Sequence, residues 1–453
     1  MVMINSADVN LTYRKVKGTD YLYIFMLKLF LIGSLIFSVH IARSQDTTSV
    51  RGDSIPTLEN TMEAGDEQEV VEPRRKLIRW NEYEGPYFSV RVGGGFLYDG
   101  ATYIQDPESK KQVTDLDSEI KLRDLRMVFK GRFGPKNMKH AVTYSMGIMY
   151  DDPNKKLLFR ETGIMVAIPE LWGNFFIGRT KEGFSLNKVM VGYAGWTMER
   201  STMSDATVPI LGDGIKWLGY LPNHKILWNI GYFFDKFNYD QAFSSYDHQG
   251  VARIMWLPVL SEEKRTLFHL GANLRLGSVD NDTLQLRSRP EAWPAPYFVD
   301  TKKMYVTSTF MYGGEVYYRK GPWLIGSEYW FQQTKSPENQ NPLFHGGEIV
   351  TTWMITGETR EYNTVGGFFK GILPERSVFK GGPGAWEAVL RFSYIDLSDG
   401  KVTGGRFNRI TPMINWHLSD YVRFEFGYGY GVLHKNGLHG GTQFFQTRIQ
   451  LQL

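Results

Sequence analysis

The 453-residue sequence contains no cysteine. Disulfides are therefore excluded, as suits an exported protein that does without them. Long apolar runs are almost absent too. A polytopic helical membrane protein needs repeated apolar stretches of ~20 residues, and the only long one lies around Tyr21 to Ile41, which excludes helical transporters and channels. Strong net charge is also missing, with a formal +4 and a pI of 8.8. Arg14, Lys15, Lys17, Lys28 and Arg43 sit in the first 44 residues against Asp8 and Asp20, so the remainder is close to neutral. The pI is thus no ground for nucleic-acid binding, and what matters is where the charges sit. No internal repeat is present, nor a helix-period segment long enough for a second domain.

What is abundant is glycine, at 47 residues, with 12 Trp, 25 Tyr and 29 Phe, yet the chain is only 42% hydrophobic and its mean hydropathy is −0.31. A disordered chain would be poor in aromatics, and a soluble enzyme of this length would carry ordinary aromatic usage in two or three domains. Transmembrane β-barrels reconcile these features, because half of every strand faces water and the apolar and polar halves cancel in the mean.

Met26-Leu-Lys28, the apolar stretch Leu29 to Val39 and Ala42-Arg43-Ser44 have the order of a secretory signal cleaved after Ser44. Met26 offers an alternative start, and an uncleaved anchor helix is the competing reading. Residues 45–79 are polar, with an acidic stretch from Glu63 to Glu72 followed by Arg74, Arg75 and Lys76, and read as a loosely packed periplasmic lead. Arg51-Gly52-Asp53 within it is taken as a chance tripeptide.

From Trp80 onward the apolar period is two, the mark of strands with one apolar and one polar face. Leu125, Met127, Phe129 and Phe133 oppose Arg126, Lys130 and Arg132; Phe268, Leu270, Ala272, Leu274 and Leu276 oppose His269, Asn273 and Arg275. Trp386, Ala388, Leu390, Phe392 and Tyr394 oppose Glu387, Arg391 and Ser393. Val422, Phe424, Phe426, Tyr428 and Tyr430 oppose Arg423 and Glu425, and Phe445, Ile449, Leu451 and Leu453 oppose Gln446, Arg448, Gln450 and Gln452. Turn signals such as Leu221-Pro-Asn-His224, Lys320-Gly-Pro322 and Ser398-Asp-Gly400 punctuate the runs. With roughly 370 residues and ~9–11 per spanning strand plus connections, about sixteen strands are expected. A soluble sandwich would bury the apolar face as core, but closure without edges and aromatics near strand ends favour a barrel.

The polar face assigned by this alternation carries Arg91, Arg126, Lys130, Arg132, Arg275, Arg391, Arg423 and Arg448 against Glu315, Glu328, Glu387 and Glu425. Rings of cations favour anions in a pore, so a weak anion preference is expected; a salt-bridged wall is the bland alternative, with Arg391 beside Glu387 and Arg423 beside Glu425 as candidate pairs. No nucleophile and base stand out for an enzyme, and His434 with His439 reads as a polar loop, not a metal site. Gly427-Tyr-Gly-Tyr-Gly431 lies inside a strand pattern with no helix after it, so small residues relieving crowding are preferred to a phosphate loop.

The segments Gly178-Arg-Thr-Lys-Glu-Gly-Phe-Ser-Leu186, Met198-Glu-Arg-Ser201, Gly314-Glu-Val, Gly321-Pro-Trp-Leu, Glu328-Tyr329, Gly384-Ala-Trp-Glu-Ala and Arg391-Phe-Ser-Tyr-Ile-Asp-Leu397 together resemble the phosphate-selective porin O and P family, as do Gly404-Gly405, Asn415-Trp416 and Val422-Arg-Phe-Glu425. The resemblance covers most of Trp80 to Leu453. It implies an all-β, antiparallel transmembrane barrel of about 16 strands, usually trimeric, with a long third loop folded into the lumen and a ladder of basic residues for anions. The loop would run from about Leu186 to Lys225. Met198-Glu-Arg-Ser201 matches the family's constriction segment, which makes Arg200 the leading lumen cation with Lys181 and Lys188 nearby. In Pro209-Ile-Leu-Gly-Asp213-Gly214 the chain departs from the family, which often has a basic residue there, and this departure weakens strict phosphate selectivity. The expectation is a bacterial outer-membrane porin and homotrimer, passing small anionic or polar solutes by diffusion without a cofactor. Anion sites are expected at Arg200, Lys181, Lys188, Arg126, Lys130, Arg132, Arg275 and Arg391. An adhesive, structural or enzymatic barrel is the alternative.

Overall fold

The computed structural model describes residues 81–151, 155–234 and 245–453; the expected signal segment, the lead and the Arg51-Gly52-Asp53 triplet lie outside them. Sixteen antiparallel strands form one closed barrel. They are β1 (Ser89–Gln105), β2 (Glu119–Phe133), β3 (Val142–Asp151), β4 (Lys156–Ile168), β5 (Gly173–Thr180), β6 (Gly212–Leu221), β7 (Ile226–Phe234) and β8 (Tyr246–Ser261), followed by β9 (Thr266–Val279), β10 (Ser308–Lys320), β11 (Trp323–Lys335), β12 (Leu343–Met354), β13 (Ala385–Asp399), β14 (Val402–His417), β15 (Val422–Lys435) and β16 (Leu438–Gln452). Each strand pairs with its sequence neighbours. Closure comes from β16 against β1, in the register Gly95↔Gln452 to Gln105↔Thr442, so no backbone edge is left unpaired in hydrocarbon, where each unsatisfied group would cost several kcal/mol. A short strand, Glu82–Glu84, adds to the start of β1.

The alternation read from the sequence sets which face points out. Ile177, Ile254, Leu276, Ile325, Ile349, Leu390, Ile410, Phe426, Ile449 and Leu451 are exposed on the outer surface, which is the lipid face of a membrane barrel. Trp323 stacks on Trp353 at 5.2 Å and Trp386 on Trp416 at 4.9 Å, all four at the end of the barrel where the short turns lie. An aromatic girdle at an interface has this composition.

The inner face corrects one expectation. It was to be polar and water-facing throughout, yet Leu257, Leu267, Tyr317, Leu324, Val350 and Val389 point inward and are buried with Trp196 and Phe369 in an apolar cluster inside the barrel. Two segments entering from opposite ends supply its partners. From the loop end comes residues 181–211, between β5 and β6, carrying α1 (Leu186–Val189) and α2 (Thr202–Thr207). From the turn end comes residues 355–384, between β12 and β13. The expected inward loop of Leu186 to Lys225 is therefore shifted: Gly212–Leu221 is a wall strand, because its period-two pattern pairs with β5 and β7. Gly429 and Gly431 lie within β15, and a Cβ there would meet the Arg409 guanidinium at 2.4 Å and the Phe407 ring at 2.5 Å, so close side-chain approach explains this glycine run.

Candidate functional site

The inward loop is seated by three glutamates. Glu315, Glu328 and Glu348 are direct cross-strand neighbours on β10, β11 and β12, and the start of α1 lies on them. The Leu186 amide donates to Glu315 Oε2 at 2.7 Å and the Asn187 amide to Glu328 Oε1 at 2.8 Å, while the Ser185 hydroxyl and the Asn187 side chain bond to Glu328 and Glu348. Carboxylates accepting the unpaired amides of a first helical turn are a strong form of end-capping.

Beyond α1 the loop backbone is tied carbonyl by carbonyl to inward side chains. Gln450 donates to Tyr193 O at 3.0 Å, Arg360 to Ala194 O at 2.8 Å, Arg423 to Gly195 O at 2.8 Å, Asn415 to Trp196 O at 2.9 Å and Arg391 to Glu199 O at 2.7 Å; Arg448 bonds Met198 O. Glu199 sits between two cations, 2.6 Å from Arg123 Nε and 2.5 Å from Arg448 Nη2. Burial raises the Glu199 carboxyl, but Arg123 and Arg448 outweigh it and hold it down at about 2.

The arginines read as a solute ladder are accordingly mostly paired, with Arg275, Arg391, Arg423 and Arg448 buried and Arg126 and Arg132 half-buried. Arg275 meets Glu182 at 2.7 Å and Arg391 bonds Glu291 with Glu348 3.5 Å away; Glu387, expected beside Arg391, instead takes Arg360 at 2.7 Å. Arg423 does pair with Glu425. Arg126 pairs with Asp124 and lies over the Tyr193 ring at 4.7 Å. Arg132 sits at the turn-end rim, bonded to Glu84 and to Gly85 O, and Lys130 is opposite Arg91 in the β1–β2 register. Lys181 and Lys188 are buried, donating to Met190 O at 2.9 Å and Val208 O at 2.8 Å. Arg200 donates to the carbonyls of Asn187, Lys188 and Met190. Asp213 is neutralised by two 2.8 Å bonds from Arg179.

Above the inward loop lies a cavity of about 820 Å³. Arg200, Lys181, Lys188 and Arg126 line it, with Arg123, Arg160 and Arg448; Lys130, Arg132, Arg275 and Arg391 are elsewhere. Its other wall comes from the β9–β10 connection, residues 280–307, which the sequence reading passed over. There Arg287, Arg289, Trp293 and Tyr297 face the cavity. The Arg123 guanidinium lies 4.3 Å from the Trp293 centroid, Arg289 lies 4.6 Å from Trp293 and 4.4 Å from Tyr297, and Arg287 lies 4.2 Å from Tyr297. Among the described residues no carboxylate forms an ion pair with Arg287 or Arg289. The available signal was Arg-Ser-Arg289 followed by interleaved Trp293 and Tyr297 with Pro290, Pro294 and Pro296, basic and aromatic residues held on a stiff loop.

The whole barrel, residues 90–453, matches the family described as phosphate-selective porin O and P. The chain belongs to that family. Among curated proteins it is 30% identical over 181 residues to an uncharacterised protein of Caulobacter vibrioides, covering 39% of this chain and 36% of the relative, and 25% identical over 155 residues to Porin O of Pseudomonas aeruginosa, covering 31% and 34%. The matched stretch thus spans about a third of the length of these relatives. Among solved structures it resembles OmpF of Salmonella typhi in complex with daunomycin (TM-score 0.53, 8% identity, 82% of this chain and 100% of that one) and a loop-deletion mutant of OmpT, an outer membrane protein of Vibrio cholerae (TM-score 0.51, 12% identity, 81% and 100%). At these identities the likeness is one of fold, and with the family it places this porin O and P member in the outer membrane.

Proposed function

We propose that this porin O and P member is a passive outer-membrane channel for small hydrophilic solutes with a preference for anions, phosphate among them. The observation that carries the preference is the pair Arg287 and Arg289, which face a cavity lined by ten basic and five acidic side chains and form no ion pair with a carboxylate among the described residues, whereas the wall arginines are spent on holding loops. An excess of cations over carboxylates in a confined, partly desolvated space raises the local anion concentration. Arg200, Lys181 and Lys188 add positive potential to the same cavity, whereas the charge of Arg126 is met by Asp124. The neutral Arg179–Asp213 pair removes the acidic objection to an anion path, because its charge is cancelled where it stands. Lys130, Arg132, Arg275 and Arg391 act in this reading as wall and loop supports. Assembly as a homotrimer belongs to the same proposal and rests on the family; cross-linking of the detergent-solubilised protein tests it.

The experiment is reversal potential in planar bilayers under a potassium chloride gradient, then with phosphate replacing chloride. The wild-type channel is expected to favour the anion, and R287A/R289A to fall toward no preference with the barrel intact. Cation preference in the wild type, or an anion preference untouched by the double variant, overturns the proposal.

A further inference from the structure

The stack in the β9–β10 connection alternates guanidinium, indole, guanidinium, phenol, guanidinium: Arg123, Trp293, Arg289, Tyr297, Arg287. Each ring thus has two guanidiniums within 4.6 Å of its centroid, and Arg289 is the one that lies over both rings. Its Nε is buried without a hydrogen-bond partner among the described residues. Arg287 ends the series. It is exposed, lies 4.2 Å from the Tyr297 centroid, and no second ring among the described residues lies over it, so it keeps an open side.

The loop is held before any ligand arrives. Lys121 donates to Pro294 O at 3.3 Å, Arg409 bonds Pro290 O, and Gln446 donates to Glu291 O at 3.1 Å. A preorganised site saves the ordering cost that a mobile one pays on binding. The adjoining space of about 820 Å³ is of the size that holds organic ligands, on the order of 300–1,000 Å³, and far exceeds what an inorganic oxyanion fills.

We infer that this stack is a binding station for an organic anion carrying a flat conjugated ring, the ring lying on the open face of Arg287 and the anionic group meeting the N–H edges of Arg287 and Arg289. Guanidinium planes stack on conjugated rings as well as pairing with oxyanions, so the next member the series lacks is a ring, and the charge it lacks is negative. The inference rests on the anion-preferring reading of the same cavity but asks for a ring in addition.

Adenosine 5′-monophosphate and ribose 5-phosphate differ only by the purine. Their affinities for the detergent-solubilised full chain, measured by titration calorimetry, do not depend on conduction, so this test is separate from the bilayer one. The nucleotide is expected to bind about tenfold more tightly, the scale of one stacking contact. Arg287→Lys keeps the charge and loses the plane; it should retain ribose 5-phosphate binding and abolish the nucleotide's advantage. Tyr297→Leu, which removes the ring that orients Arg287, should reduce that advantage as well. Equal affinities in the wild type, no measurable binding of either compound, or a purine advantage that survives Arg287→Lys each overturn the inference; the first leaves the anion channel standing if the reversal potential shows it.

Discussion

At the scale of single residues the barrel lining spends its arginines in two ways. Where a carboxylate is within reach, as for Arg179 with Asp213, the pair is fully desolvated, both side chains being 5% exposed or less. Such a pair is weak evidence of net stabilisation, but removing one partner strands the other charge. Asp213→Ala is therefore expected to destabilise the barrel by about 3–5 kcal/mol, whereas the apolar double substitution Arg179→Met with Asp213→Leu should recover most of the loss. Thermal unfolding in detergent, followed by the shift between folded and unfolded bands on gels, measures both. Arg287 and Arg289 belong to the other kind, held by aromatic faces in place of carboxylates, and so keep their charge available to a solute.

Among the elements, the 181–211 loop decides what the lumen is. Its apolar residues Phe184, Leu186, Trp196 and Met203 are buried, its first turn rests on the glutamate row, and its carbonyls are tied to the wall. Glu199 is the ionic centre of that attachment, and its lowered carboxyl fixes the sign of a pH effect. A carboxyl depressed in the folded state contributes stability that is fully present above its ordinary value of 4.5 and is lost as pH falls toward about 2. Single-channel current should therefore be steady from neutral pH to about pH 4.5 and become noisier as the pH drops toward 2, while Glu199→Gln should bring that noise to neutral pH. A Glu199→Gln trace as quiet as the wild type at pH 7 sinks this assignment.

Over the whole molecule, a closed wall receives one insertion from each end. The turn-end segment reaches the loop through Arg360, which bonds Ala194 O and Glu387, and through Phe369, whose ring lies 6.3 Å from that of Trp196 and 5.8 Å from that of Tyr317. The wall does not need this segment, since Met354 already stands opposite Glu387 in the β12–β13 register and a short turn can join the strands there. Replacing residues 358–380 by a tight turn, together with Glu387→Gln so that no buried carboxylate loses its Arg360 partner, should leave the barrel folded and raise single-channel conductance severalfold. An unchanged conductance in that variant means the solute path runs elsewhere.

The period-two alternation from Trp80 onward determined which residues share the apolar and polar faces, and with the chain length it gave about sixteen strands; closure with the apolar face outward follows because strands in hydrocarbon can leave no backbone edge unpaired. It also marked the inward arginines of β13, β15 and β16 correctly as inward. Partners were beyond its reach. Arg391 is four residues from Glu387 and pairs with Glu291 and Glu348, which are distant in sequence, because sequence spacing along one strand says nothing about which loop fills the space opposite. The inward course of residues 355–384, the apolar cluster inside the barrel and the stack of Arg287, Arg289, Trp293 and Tyr297 were decided only by tertiary structure. The first two depend on contacts between segments far apart in sequence; the stack is local in sequence, but its place in the lumen is set by Lys121, Arg409 and Gln446, more than a hundred residues away.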